Sequence, residues 1–169
     1  MTALTKDRET ESKEPNFRAY PMAAVKIYKG SLVAINAAGY AAPAADTVNF
    51  RVVGVADEQV DNSAGAAGDK KIRVLHGRAF RFVASSITQA MVGQTMYVVD
   101  DQTVDDGIGT NAIQAGVLVE FVSATEGWIV IPRGGMGIGT ALANAGATYT
   151  AAEQSLINEL KSRLNTYGR

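Results

Sequence analysis

The chain has 169 residues, 47% of them hydrophobic and 20% charged, with a formal net charge of −1. That balance belongs to soluble globular proteins and lacks the basic surface that an electrostatically driven nucleic-acid binder needs. There is no cysteine and only one histidine, His76, which excludes a disulfide framework, a thiolate metal site and a histidine cluster. No segment reaches the apolar run of a membrane span or of a signal-peptide core.

Residues 1 to 14 carry Lys6, Asp7, Arg8, Glu9, Glu11, Lys13 and Glu14, with Leu4 the one sizeable aliphatic side chain after Met1. They cannot bury enough apolar area to offset their ordering entropy, so alone they are expected to be disordered. Phe17 and Tyr20 follow, between Pro15 and Pro21. Proline fixes its own φ and disfavours helix in the residue before it, so this stretch is expected to be extended. Residues 1–21 form an N-terminal arm, either a docking segment through Phe17, Arg18 and Tyr20 or a lead-in strand of its own domain.

From Met22 a β-domain begins, with Val25, Ile27 and Tyr28 in one short strand, a turn at Lys29 to Ser31, and a second strand over Leu32 to Ile35. Two runs then flank a small-residue loop. Phe50 to Val55 is rich in β-branched residues, and Lys71 to Phe82 alternates charged and apolar side chains around Gly77, the period of two expected of strands. The intervening DNSAGAAGD collects turn formers and is expected to be a flexible surface loop. Ser86 is placed to cap one helical turn over Ile87 to Val92, closed by Gly93. Met96 to Val99, Ile113 to Val122 and Gly127 to Ile131 supply further strands. About seven short strands, with no amphipathic helix long enough for a βαβ unit, predict an all-β core at 22–133, a small antiparallel β-barrel or sandwich. Trp128 and Phe121 are core or interface anchors, with the core the expected place.

Residues 134–148 are Gly/Ala-rich and predict a linker. Thr150 and Glu153 have capping-box spacing, opening an amphipathic helix over 149–169. Its stripe comprises Leu156, Ile157, Leu160 and Leu164, with Tyr167 continuing it. A helix of about four turns is marginal alone in water, so the stripe must be covered by its own barrel or by copies of itself in a short coiled coil.

No constellation for catalysis emerges. Asp100, Asp101, Asp105 and Asp106 lack EF-hand spacing, since Gly107 in the sixth position makes Gln102 and Val104 the first and third ligands. His76 has no nucleophile motif to serve and is expected to be a surface or partly buried structural residue. GAAGDKK and GGMGIGT fail the phosphate-loop and dinucleotide spacings. The basic residues Lys70, Lys71, Arg73, Arg78 and Arg81 are expected to pair with Asp57, Glu58, Asp61 and Asp69. The chain is therefore expected to be no enzyme, with no catalytic residue, cofactor or metal.

AAVKIYKGSLVAINAAGYAAPAAD, RVVGVADEQVDNSAGAAGDKKIRVLHGRAFRF, MVGQTMYVVDDQTV, AGVLVEF and GWIVIP occur in this order. Together they resemble the small capsid decoration, or cement, proteins of tailed bacteriophages, over roughly residues 22 to 132. The resemblance implies a barrel-like core bound to the outer surface of an assembled head, stabilising joints between capsid subunits, often as a trimer. Its implied partners are the major capsid protein and copies of itself, with no nucleic acid and no membrane. Synthesis would be in the bacterial host cytoplasm and residence on the virion. Contact candidates are Phe17, Arg18 and Tyr20, and oligomerisation candidates are Leu156, Ile157, Leu160 and Leu164. A carbohydrate- or receptor-binding module of a phage virion is the alternative expectation.

Overall fold

A computed structural model describes residues 16–132 and 150–167, with the side chains of the C-terminal helix described as far as Ser162. Among the described residues the structure is mostly β, with one helix near the C-terminus. The order is β1 (Phe17–Pro21), β2 (Lys26–Ile27), β3 (Leu32–Ile35), β4 (Ala41–Pro43), β5 (Arg51–Ala56), β6 (Val60–Asp61), β7 (Lys71–Leu75), β8 (Arg78–Ser85), β9 (Thr95–Val98), β10 (Thr103–Asp105), β11 (Gln114–Ser123), β12 (Glu126–Ile131) and α1 (Ala151–Tyr167). The expected arm before residue 16 and the expected linker at 134–148 lie outside the described residues.

The strands form a five-stranded antiparallel sheet in the order β1-β7-β5-β3-β4, a closed barrel in the order β10-β8-β12-β11-β9, and the small β2-β6 pair. The barrel is not wholly antiparallel, because β10 joins β8 in parallel. The five-stranded sheet also nearly closes on itself: Met22 bridges Ala41, and the Ala23 N–H donates to the Ala41 carbonyl at 2.9 Å.

Two apolar clusters fill these layers. Met22, Ile27, Val33, Ala41, Val53, Ala56, Ile72 and Val74 lie inside the curled sheet. Leu32, Ala34, Val52 and Val55 instead join the barrel interior of Phe82, Met96, Leu118, Ile129 and Ile131. β3 and β5 are therefore buried on both faces, which explains why LVAI and VVGVA read as continuous apolar runs. Along β5 the faces do not alternate strictly. Val52 and Val55 share one cluster, Val53 and Ala56 the other.

The cause is a bulge at Val53 and Gly54, where the pairing with β3 slips between Val33 and Ala34, and one extra residue, Val53, inverts the parity of those that follow. Gly54 has φ +149, and a Cβ there would sit 2.1 Å from the Leu75 carbonyl oxygen and 2.6 Å from Val74 Cγ1. No other residue type fits without moving β7. β11 uses the same device repeatedly. Its register slips between Gln114 and Gly116, Leu118 and Glu120, and Phe121 and Ser123, so Ala115, Leu118 and Phe121 face inward at three-residue spacing. Repeated bulges supply the curvature that barrel closure requires.

Several expectations change. Lys71 to Phe82 is two strands, not one, because the chain leaves the sheet and enters the barrel at His76 and Gly77. Gly77 has φ +70 and its N–H donates to the Ile131 carbonyl at 2.7 Å. Ser86 is no helix cap: it has φ +53, and the short 3-10 turn spans Gln89–Met91 after Thr88. The loop after β6 is tied down, since the buried Asn62 donates through Nδ2 to the carbonyls of Ala23 at 3.0 Å and Ala66 at 2.9 Å. Trp128 lies half-buried on the outer barrel face between Glu120 and Arg81, whereas Phe121 packs at the edge of the core.

The halves are also joined by one carboxylate. Asp46 accepts from the Thr110 N–H at 2.7 Å and the Asn111 N–H at 2.9 Å, while Asn111 Nδ2 donates to the Asp46 carbonyl at 2.7 Å. Gly54→Ala is expected to cost about 3 kcal/mol or more in urea unfolding, from backbone overlap inside a packed sheet. Asp46→Ala, which orphans two amides at the junction, is expected to cost about 1–3 kcal/mol by the same measurement.

Candidate interaction surface

Of the three arm candidates, the structure divides one from two. β1 is the outer strand of the curled sheet, pairing antiparallel with β7 from Phe17 opposite Leu75 to Pro21 opposite Lys71. The lead-in-strand alternative thus describes residues 17–21 within the single chain. Tyr20 packs against the sheet's inner cluster. Burial raises its hydroxyl pKa above the ordinary value, partly offset by the positive charge of Arg18. Phe17 and Arg18 are exposed.

The ladder also fixes which backbone groups of β1 remain available. The Met22 N–H donates to the Lys70 carbonyl at 2.9 Å, and the His76 N–H donates to the Asn16 carbonyl at 3.2 Å. In an antiparallel ladder the polar groups of successive residues point to opposite edges. Even-numbered residues therefore bond β7, and the N–H groups and carbonyls of Phe17 and Ala19 face the outer edge, whereas the Pro21 carbonyl on that side is engaged by the bridge to Ala41. Pro21 has no N–H, which limits that edge to two donors. Beside it, the Arg73 guanidinium lies 6.0 Å from the centroid of the Phe17 ring and pairs with Asp57. Arg81 pairs with Glu126 across the barrel surface. The expected pairing of the basic stripe holds at Arg73. Arg81 uses a later acidic partner instead, and both pairs are exposed enough to contribute about 0–1 kcal/mol.

The four aspartates do not act as a group. Asp100 accepts from the N–H groups of Gln102 at 2.9 Å and Thr103 at 2.7 Å, and Asp105 accepts from the Gly107 N–H at 3.1 Å. Both carboxylates shape turns. Among the described residues no group of three His, Asp or Glu side chains is placed to hold a metal ion. His76 is 3% exposed, more deeply buried than expected, at the crossing from sheet to barrel. No helix among the described residues is long and apolar enough to cross a membrane.

α1 begins as its sequence dictates. The Thr150 N–H donates to Glu153 Oε2 at 3.0 Å, the Thr150 hydroxyl donates to the same oxygen at 2.6 Å, and the Glu153 N–H donates back to Thr150 Oγ1 at 3.3 Å. The reciprocal bonds satisfy amides that have no intrahelical partner. Leu156, Ile157 and Leu160 are 68%, 36% and 60% exposed, so the barrel does not cover this part of the stripe. The Leu164 side chain lies outside those described. No family model, no curated protein and no solved structure matches the chain.

The bonds from Thr150, first the hydroxyl and then the backbone, hold the Glu153 carboxyl below its ordinary pKa. A lowered acid pKa stabilises the helix start above the unfolded value, and that stability is lost as pH falls through the lowered one. Helical circular dichroism of α1 is therefore expected to decline on acidification through the glutamate range. Glu153→Ala should start lower and titrate less.

Proposed function

We propose that the chain is a decoration protein of a tailed-bacteriophage head, binding the outer surface of the assembled capsid and stabilising joints between its subunits. The observation that carries this reading is a β body with two buried apolar clusters of its own that, among the described residues, leaves outward the edge of β1 and the exposed Leu156, Ile157 and Leu160 of α1. The sequence resemblance over residues 22 to 132 supplies the class of partner. A body whose apolar interior is consumed by its own packing is suited to act as a rigid cement, with attachment left to surface and appendage.

In this reading β1 is the capsid-facing edge. A capsid strand adds to it through the Phe17 and Ala19 amides, with Phe17 and Arg18 as side-chain anchors, the mode in which main-chain bonds give affinity and flanking side chains give selectivity. Two donors make one copy a weak binder. Association of three copies through Leu156, Ile157, Leu160 and Leu164 then supplies retention by avidity. The exposed Leu156, Ile157 and Leu160, at three- and four-residue spacing, match the seam of a short coiled coil.

Two experiments test the two halves of the proposal. Ala19→Pro removes an outward amide while leaving every bond from β1 to β7 intact, and is expected to weaken binding to purified undecorated heads about tenfold, roughly 1.4 kcal/mol. Occupancy equal to the unaltered protein would remove β1 from attachment. Leu156→Glu with Leu160→Glu in the full chain is expected to convert a trimer into monomer by mass photometry. A trimer that survives both charges would place self-association elsewhere.

A further inference from the structure

An open groove of about 460 Å³ separates the turn between β2 and β3 from the tip of the β9-β10 hairpin. Tyr28, Lys29, Gly30 and Ser31 form one wall, Asp101 and Gln102 the other. Both walls are fixed by bonds that do not involve the groove. The Tyr28 carbonyl accepts from the Ser31 N–H at 3.2 Å and from its hydroxyl at 2.6 Å. Gly30, at φ +86, donates its N–H to the Ala56 carbonyl at 2.8 Å. On the opposite side the Asp100 carboxylate holds the hairpin tip, and the Leu32 N–H ties the two walls together through the Asp101 carbonyl at 2.7 Å. The groove is therefore pre-formed, so a ligand would not have to order it.

Its chemistry is mixed. The Tyr28 ring is exposed, with the Lys26 ammonium 4.6 Å from its centroid. Lys29 brings a cation, Asp101 a half-buried carboxylate and Gln102 an exposed amide with both a donor and an acceptor. One positive and one negative side chain on facing walls disfavour an anion or a cation alone. A ring of hydroxyls suits all four groups, because each hydroxyl both donates and accepts. Its C–H face can also lie on an aromatic ring, whose face carries partial negative charge. A groove of this volume accommodates one or two sugar units, within the usual range for small-molecule sites.

We infer that this groove binds a neutral sugar unit, with Tyr28 as the stacking platform, Asp101 and Gln102 as acceptors for ring hydroxyls, and Lys29 as a donor. Asp101 is suited to its role: burial, and secondarily the adjacent Asp100, raise its carboxyl pKa above the ordinary value, which marks a carboxylate short of hydration and receptive to hydroxyl donors. The inference is independent of capsid attachment, since the groove uses none of the β1 residues.

Saturation-transfer difference NMR on the full chain tests it, using glucose, galactose, mannose and N-acetylglucosamine, with acetate and tetramethylammonium as charged probes. Transfer to the ring protons of at least one sugar is expected, with a Kd on the order of 1 mM. Tyr28→Ala and Asp101→Asn should each weaken it about tenfold while leaving the urea unfolding midpoint unchanged. Absence of transfer to every sugar overturns the inference. So does preferential binding of a charged probe, or a sugar signal that persists undiminished in both variants.

Discussion

Everything in this molecule depends on two strands being buried on both faces. β3 and β5 lie between the curled sheet and the closed barrel, giving Leu32, Ala34, Val52 and Val55 to one interior and Val33, Val53 and Ala56 to the other. Each fully buried valine or leucine among them contributes about 1.5–3 kcal/mol relative to exposure. A one-residue slip would exchange the two sets and leave both interiors wrongly filled. The bulge at Val53 and Gly54 makes the shared strand fit both, since it inverts the parity midway along β5 and brings the Gly54 backbone against Leu75 too closely for a Cβ. Asp46 then pins a loop of one half to a loop of the other, so the halves are joined by packing at the centre and hydrogen bonds at the periphery.

That construction decides where interactions can occur. With both interiors filled by the chain itself, the surfaces of note among the described residues are outward-facing: the outer edge of β1, the polar groove beside Tyr28, the outer barrel face around Trp128, and the exposed Leu156, Ile157 and Leu160 of α1. These features differ in physical character. A strand edge offers unsatisfied backbone groups and is selective mainly for extended chain. An exposed apolar helix stripe suits a complementary apolar surface. The groove offers neither, but carries convergent polar side chains on a fixed frame. These surfaces lie outside both interiors and can therefore be altered by mutation without disturbing the packing of the body.

Much of the architecture was legible in the residues. The β-branched runs identified β3, β5, β9, β11 and β12 closely, and the Thr150 and Glu153 spacing identified the start of α1 and its reciprocal bonds. Arg73 found an acidic partner near the preceding strand as its charge pattern suggested. Less visible was the break at His76 and Gly77. Apolar alternation continues across it, so periodicity alone joined β7 to β8, although they belong to different sheets. Trp128 was also misplaced, because an aromatic in an alternating strand declares its face only once the register of Gly127, Ile129 and Ile131 toward the interior is known. Tyr28 offered no signal toward a groove, since its opposite wall, Asp101 and Gln102, is far along the chain.

The sequence by itself determined the β class, the positions of most strands and the amphipathic helix, because these follow from local periodicity, turn chemistry and capping. Tertiary structure alone decided that the strands divide into a curled sheet and a closed barrel sharing the burial of β3 and β5, and which edge of β1 is turned away from β7. The reason is that bulges, parallel pairing and two-sided burial depend on contacts between residues distant in the chain, and such contacts leave no period in the sequence.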